Sequence, residues 1–408
     1  MRKSPHVVFF GIPHPPHSNP TLPVISVLVR RGYRVTYVTS ESYAARAVAL
    51  GADVATYQNG PALPPDFKPW LTLRADLNVP NFSGLCPLAS WTLEKVAPVF
   101  ESDKPDLIIY DLVSLAGRIA AHRWRVPAVQ ISPQYAFDPE NFESQIKDHQ
   151  FREWVHRQAR EADRFLQAAG VVADEFMFHR EGLNVYTFPK AFQPSGAALT
   201  DSTCLYAGRC PAEQPSHGEW HVGTAQGRPV LLLSASTTYV RDVEYFKAYC
   251  QALDGTQWHV VIAVSDQFDI AALGRLPKNF EIVRGISLVK VLPYASLFVF
   301  QGGTTSATEA VYHGVPQIAV TCGFAELEWC ADTNITRLGL GVHLKKEDFS
   351  VDNIKGAVQR ASENREILSN VKRVRHIVRR EPGAEEVVNR IDELLDASTR
   401  GQIHVNST

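Results

Sequence analysis

Apolar residues along this chain fall into two alternating rhythms. Runs such as "HVVFFGI" at residues 6–12 and "RVTYVTS" at 34–40 have the length and β-branched content of buried strands. Between them Leu22, Ile25, Leu28 and Val29 recur at three and four residues, the period of a helix with one apolar face. Arg31 gives that helix a basic last turn, and Gly32 follows as a C-cap. Strand, helix, strand is a βαβ unit, which implies a parallel sheet with a right-handed crossover. The alternation returns at "PDLIIYDLVS", the helix "LAGRIAAHRW" and the strand "PAVQIS". Charged and aromatic residues from roughly 138 to 185 read as an inserted helical segment, and 211–229 has the Pro, Gly, Ser and Gln content of a linker. Beyond it "VLLLSAS", "WHVVIAVS", "FEIVRGI", "LFVFQGG" and "PQIAVTC" repeat the strand rhythm. Near the end Val387, Val388, Ile391, Leu394 and Leu395 mark a helix with one buried face, and the tail after Arg400 is expected to fray. The expectation is α/β: two Rossmann-like, doubly wound parallel-sheet domains facing across a cleft, with ligands at the carboxyl ends of the strands.

Composition narrows the function classes. A length of 408 residues exceeds one ordinary core. With 41 basic and 43 acidic side chains the net charge is −2, so no strong field is available for nucleic acid or an anionic membrane. No apolar run reaches the roughly 18 residues that span a bilayer. The basic start has too short an apolar core for a signal peptide. The six cysteines show no metal-binding or disulfide spacing and read as reduced thiols of a cytoplasmic protein, Cys204 and Cys210 included.

Two segments carry candidate chemistry. In "LFVFQGGTTSATEAVYHGVPQIAV", residues 297–320, a buried strand runs into Gly302 and Gly303, and Thr304, Thr305 and Ser306 then open a helix. Glycines let a ligand approach the backbone, and a helix N-terminus is a ready phosphate site. Simple capping of the helix by its hydroxyls is the alternative. Neither a GxGxxG fingerprint nor a Walker lysine is present. The second segment, "IPHPPHSNPTL", sets His14 and His17 on a loop stiffened by Pro13, Pro15, Pro16 and Pro20. It is either a rigid histidine-rich turn or a base held above the sheet.

These segments resemble the inverting GT-B glycosyltransferases of family 1, in particular the bacterial macrolide and flavonoid enzymes. The family's donor segment reads roughly His-x-Gly-x-x-Ser/Thr-x-x-Glu-Ala, followed by Gly-Val-Pro. Here Gln301-Gly302-Gly303-Thr304-Thr305-Ser306-Ala307-Thr308-Glu309-Ala310 is followed by Gly314-Val315-Pro316. The resemblance also covers "IPHPPHSNPTL", "PDLIIYDLVSLAGRIAA", "PKAFQP" and "RLGLGVHL", and so almost the whole chain. It implies residues 1–212 as an acceptor-binding domain, 213–228 as linker and 229–385 as the donor-binding domain. Residues 386–408 would hold a helix that packs back on the first domain, plus a tail. It implies His17 as general base and Asp111 as the carboxylate that orients it, though Asp111 could instead cap the following helix. Thr237, Gln301, Gly302, Gly303, Thr305, Ser306, Glu309 and Glu326 would bind the donor. His14 would stand at the rim of the acceptor site, with Tyr135 and the aromatic stretch to Phe142 against the acceptor.

The donor half departs from the family pattern. Gln301 replaces the phosphate-loop histidine, Ser287-Leu288 a Pro-Gln pair that meets the nucleotide base, and Leu327 a sugar-binding glutamine. Thr321 stands where a proline is usual. Ribose and phosphate contacts are thus partly kept, while base and sugar contacts change. The resemblance implies a nucleotide-diphosphate sugar as co-substrate, a small natural-product acceptor, no metal or other cofactor, and a monomer or homodimer. Non-glycosyl proton-transfer chemistry on the same fold and a non-catalytic accessory role remain open on sequence grounds.

Overall fold

The first apolar run becomes β1 (His6–Phe10), buried along its whole length, as a central parallel strand covered on both faces must be. The computed structural model describes residues 4–57, 72–74, 79–81, 84–137, 142–172, 176–194, 202–210, 218–234, 243–266, 268–321 and 323–399. After β1 come β2 (Arg34–Thr39), β3 (Asp53–Thr56), β4 (Thr72–Arg74), β5 (Val79–Asn81), β6 (Leu107–Asp111), β7 (Ala128–Ser132), β8 (Leu183–Tyr186) and β9 (Cys204–Tyr206). Apart from the small antiparallel pair β4–β5, they form one parallel sheet in the order β3-β2-β1-β6-β7-β8-β9. Alternate residues of β1 and β6 feed two cores. Val8, Phe10, Ile108 and Tyr110 face the helices Leu85–Ser102 and Leu115–Trp124, while Val7, Phe9, Leu107 and Ile109 face the helix Leu22–Arg30.

The second sheet contains β10 (Val230–Ser234), β11 (His259–Val264), β12 (Phe280–Arg284), β13 (Ala295–Phe300), β14 (Gln317–Val320) and β15 (Gly341–Leu344). It is parallel throughout, in the order β12-β11-β10-β13-β14-β15. Both sheets therefore reverse their winding beside the first strand, between β1 and β6 and between β10 and β13. Where winding reverses, successive crossovers leave on opposite faces and a crevice opens at the carboxyl ends of the strands.

Two compact units result: Met1–Ala212 with Glu381–Thr408, and Glu213–Arg380. The sequence reading carried the second domain to 385, but the chain joins the first unit from Glu381 onward. There the Lys190 N–H donates to the Glu381 carboxylate (2.8 Å), and the Gly383 N–H donates to the Ala207 carbonyl (2.9 Å). The helix Gly383–Thr399 then buries Val387, Val388 and Ile391 in the core beside Leu22–Arg30 and β8. Its ion pairs with Arg31, 2.9 Å to Asp392 and 2.8 Å to Glu385, are solvent-facing and contribute little beside that apolar contact. The described part of the linker is not irregular throughout. Val222–Ala225 forms a 3₁₀ turn, and Thr224 and Trp220 both donate to Glu281. Within the inserted segment a helix runs His149–Ala168, capped by Asp148, whose carboxylate accepts the Phe151 N–H (2.7 Å). Among the described residues Cys86, Cys204, Cys210, Cys250 and Cys330 are thiols outside any disulfide, and burial pushes Cys210 up to about 12, which keeps it protonated and inert.

Burial also pushes the Glu381 carboxyl up to about 7, against the lowering effect of the Lys190 N–H. An acid with a raised folded-state pKa binds its proton more tightly when folded, so stability falls as pH rises from its ordinary carboxylate range to about 7. The melting temperature should therefore decline over that window, and Glu381→Gln should flatten the decline. An identical pH profile for the variant would count against this assignment.

Candidate active site

The proline-rich stretch after β1 is not an open loop. Pro15–Ser18 forms one helical turn, Asn19–Thr21 continues it as a 3₁₀ turn, and the helix Leu22–Arg30 follows directly. Pro15 and Pro16 occupy the first positions of the turn, where an N–H has no intrahelical partner and a fixed φ is an advantage. The coil is tied down from within: the Ser18 hydroxyl donates to the Ile12 carbonyl, that of Thr21 to the Ser18 carbonyl (2.8 Å), and Arg46 to the Asn19 side chain (2.8 Å). His17 thus sits on a braced turn at the carboxyl end of β1, beside Asp111, the last residue of β6. This is the switch point of the first sheet.

His17 Nδ1–H donates to Asp111 Oδ2 at 2.8 Å, with the two side chains 6% and 1% exposed. The other carboxylate oxygen, Oδ1, accepts the Val113 N–H at 3.0 Å. Asp111 therefore both steadies the entry to the helix Leu115–Trp124 and holds the imidazole. A carboxylate on Nδ1 fixes the tautomer in which Nε2 carries the lone pair, the arrangement required of a general base. The His14 ring lies 5.7 Å from that of His17, and burial together with His17 pushes it down to about 3, so it stays neutral at physiological pH.

In the second unit, Gln301, Gly302, Gly303, Thr305, Ser306 and Glu309 gather where β13 meets the helix Thr304–His313, at the switch point of that sheet. Gly302 has φ +98°, and a Cβ there would lie 3.1 Å from the Leu327 carbonyl and 3.2 Å from Ala331. Its glycine is needed for the turn and for packing on the helix Ala325–Ala331. A Cβ on Gly303, by contrast, would meet nothing within 4 Å. There is thus open space beside Gly303 itself, at the start of a helix whose first-turn N–H groups lie beyond the reach of its own carbonyl ladder. The partial positive charge of that terminus suits a diphosphate.

Other expectations need adjustment. Gln301 is buried and its amide donates to the Ser234 carbonyl (3.2 Å), so it ties β13 to β10. The Thr304 hydroxyl donates to Cys330 Sγ (3.6 Å) and accepts from Asn334 (3.3 Å), so it serves the fold. Glu326 is half-buried in the first turn of its helix, and Leu327 is buried. Tyr135 is only 1% exposed, edge-on to Phe188 at 5.3 Å. Phe137 and Phe142 are likewise buried and packed edge-on. This corrects the expected acceptor surface: apolar rings turned into the core leave Tyr135 a packing residue. Thr237 lies outside the described residues. Sequence reasoning missed His343 and Asp332, which hydrogen-bond to one another (2.9 Å) beside Thr321 and behind the Gly302 turn. Their spacing carries no motif, and only the pairing of β14 with β15 brings them together.

Comparison with known proteins points to the same fold. Residues 251–394 match the family described as erythromycin biosynthesis protein CIII-like, C-terminal domain. The chain is 29% identical to the NDP-glycosyltransferase YjiC of Bacillus subtilis over 97% of its own length and 99% of that protein. It is also 29% identical to demethyllactenocin mycarosyltransferase of Streptomyces fradiae, over 96% of this chain and 86% of the relative. Among solved structures, the calicheamicin glycosyltransferase CalG4 superposes with a TM-score of 0.78 at 27% identity, over 97% of this chain and 99% of the other. No helix among the described residues is long and apolar enough to cross a membrane. With two parallel sheets, each carrying its candidate residues at the switch point, the chain has the GT-B fold and is similar along almost its whole length to glycosyltransferases of the macrolide and natural-product type.

Proposed function

We propose that this protein is an inverting glycosyltransferase that moves a sugar from a nucleoside-diphosphate donor to a hydroxyl of a small, largely apolar natural product. The buried 2.8 Å hydrogen bond between His17 and Asp111 carries the reading. An alcohol is too weak an acid to attack unaided near neutral pH. His17 Nε2 takes its proton as the acceptor oxygen bonds to the anomeric carbon. The bond from that carbon to the diphosphate breaks in the same displacement, its electron pair leaves with the phosphate, and the configuration inverts. Asp111 orients the ring and stabilises the imidazolium that forms.

The N-terminus of the helix Thr304–His313, with Thr305 and Ser306, is assigned to the leaving diphosphate, so the step requires no metal ion. Glu309 and Glu326 are assigned to ribose and sugar hydroxyls, and Thr237 to a phosphate. Homology to a mycarosyltransferase of Streptomyces fradiae supports an acceptor of natural-product type. A thermal-shift screen of uridine, thymidine, guanosine and adenosine diphosphates tests the donor assignment. A specific nucleotide at a hundredfold excess over its Kd should stabilise the protein by about 2.7 kcal/mol, a rise of several degrees in Tm. No shift with any of the four would move the reading to proton-transfer chemistry without a nucleotide sugar.

A further inference from the structure

Behind the Gly302 turn, three side chains from separate parts of the second unit form a hydrogen-bonded chain. Thr321 directly follows β14, His343 lies on β15, and Asp332 opens a π-helical turn, Asp332–Thr336, that continues the helix Ala325–Ala331. His343 Nδ1–H donates to Asp332 Oδ1 at 2.9 Å, and the Thr321 hydroxyl donates to His343 Nε2 at 3.0 Å. The order is hydroxyl, imidazole, carboxylate, as in a hydrolase triad. Thr321 is nevertheless 0% exposed, so its oxygen is offered to no substrate.

The chain of groups instead backs the glycine turn. A Cβ at position 302 would stand 3.4 Å from Thr321 Cγ2, and its two closer contacts, Leu327 and Ala331, belong to the helix that Asp332 continues. Asn334 and Cys330 of the same helical stretch hydrogen-bond to Thr304, two residues past Gly302. Residues 327, 330, 331 and 334 recur at three and four, so one face of the helix beds the turn. Asp332 engages the two strands through His343 and Thr321. A π turn widens a helix and is frequent at functional sites. Here it holds the residue that joins bed to sheet.

We propose that Thr321, His343 and Asp332 are positioning residues for the donor. They fix the helical stretch 325–336 against β14 and β15, so that the Gly302–Thr304 turn keeps its N–H groups aimed at a diphosphate. This rests on the reading that a nucleoside diphosphate binds at that turn.

The test is calorimetric titration with the diphosphate that wild type binds most tightly, alongside steady-state kinetics. Thr321→Val removes the hydroxyl at nearly constant shape, and Thr321→Ser keeps it. Asp332→Asn alters the exposed end, where a folding defect is least expected. Thr321→Val should weaken diphosphate binding and raise donor KM about 3- to 10-fold, the scale of one lost hydrogen bond. Values for kcat and acceptor KM should stay near wild type. Thr321→Ser should restore donor affinity, and Asp332→Asn should weaken it in the same direction. Wild-type donor affinity in both Thr321→Val and Asp332→Asn, or a Thr321→Ser variant as impaired as Thr321→Val, overturns the proposal alone. A wild-type protein that binds none of the diphosphates overturns the donor seat itself, and the proposal with it.

Discussion

Replacing His17 with alanine should lower kcat by about 10²- to 10⁴-fold, the usual contribution of positioned proton transfer, while nucleotide affinity stays unchanged. The residues assigned to the donor in this proposal belong to the other compact unit, so their geometry does not depend on this side chain. Asp111→Asn should lose a comparable factor for a different reason. An amide can still accept the Val113 N–H through its oxygen. Its NH₂ group then faces His17 Nδ1 and favours the tautomer protonated at Nε2, the wrong one for a base. Turnover is followed by release of nucleoside diphosphate, with binding checked separately. Wild-type turnover in His17→Ala would remove that residue as the base. Full activity in Asp111→Asn would reduce the carboxylate to a support for the helix entry.

A second large effect is expected at Gly117, a buried glycine packed against the strands β1 and β6. The helix Leu115–Trp124 crosses the sheet so closely that a Cβ at 117 would lie 2.3 Å from Tyr110 Cβ and 2.9 Å from Phe10 Cβ. Both atoms are fixed to adjacent strands, β1 and β6, so neither can swing aside as a flexible side-chain tip would. Gly117→Ala should lift the helix and cost about 3 kcal/mol or more through overpacking. Phe10 leads into the His17 turn and Tyr110 precedes Asp111, so the same displacement should lengthen the imidazole–carboxylate contact. The expected result is a lower Tm together with a fall in kcat, with diphosphate binding retained. A variant as stable as wild type would show that the helix can shift without cost.

Parallel strands covered on both faces must be written as continuous apolar runs, and helices covered on one face as periodic ones. That is why the β-strands around His17 and Asp111 were legible from residues 6–12 and 105–114, and the glycine turn into the helix Thr304–His313 from 297–306. Prolines obscured the coil at 15–21. They read as a loop because proline is disfavoured in a helix interior, yet at its first positions it starts one. The aromatic stretch from Tyr135 misled for the opposite reason, since composition does not tell a ring that meets a ligand from one that meets Phe188. Contacts joining Thr321, Asp332 and His343 depend on strand register, and no local pattern encodes that.

Because the chain rejoins its first unit at Glu381, the second unit is an insertion with two seams, after Ala212 and before Glu381. On the proposed reading, donor preference would be portable only as the whole cassette 213–380. A hybrid spliced at the first seam alone would import a foreign terminal helix. The pocket beside Leu22–Arg30 that Val387, Val388 and Ile391 now fill would then receive side chains shaped for another partner.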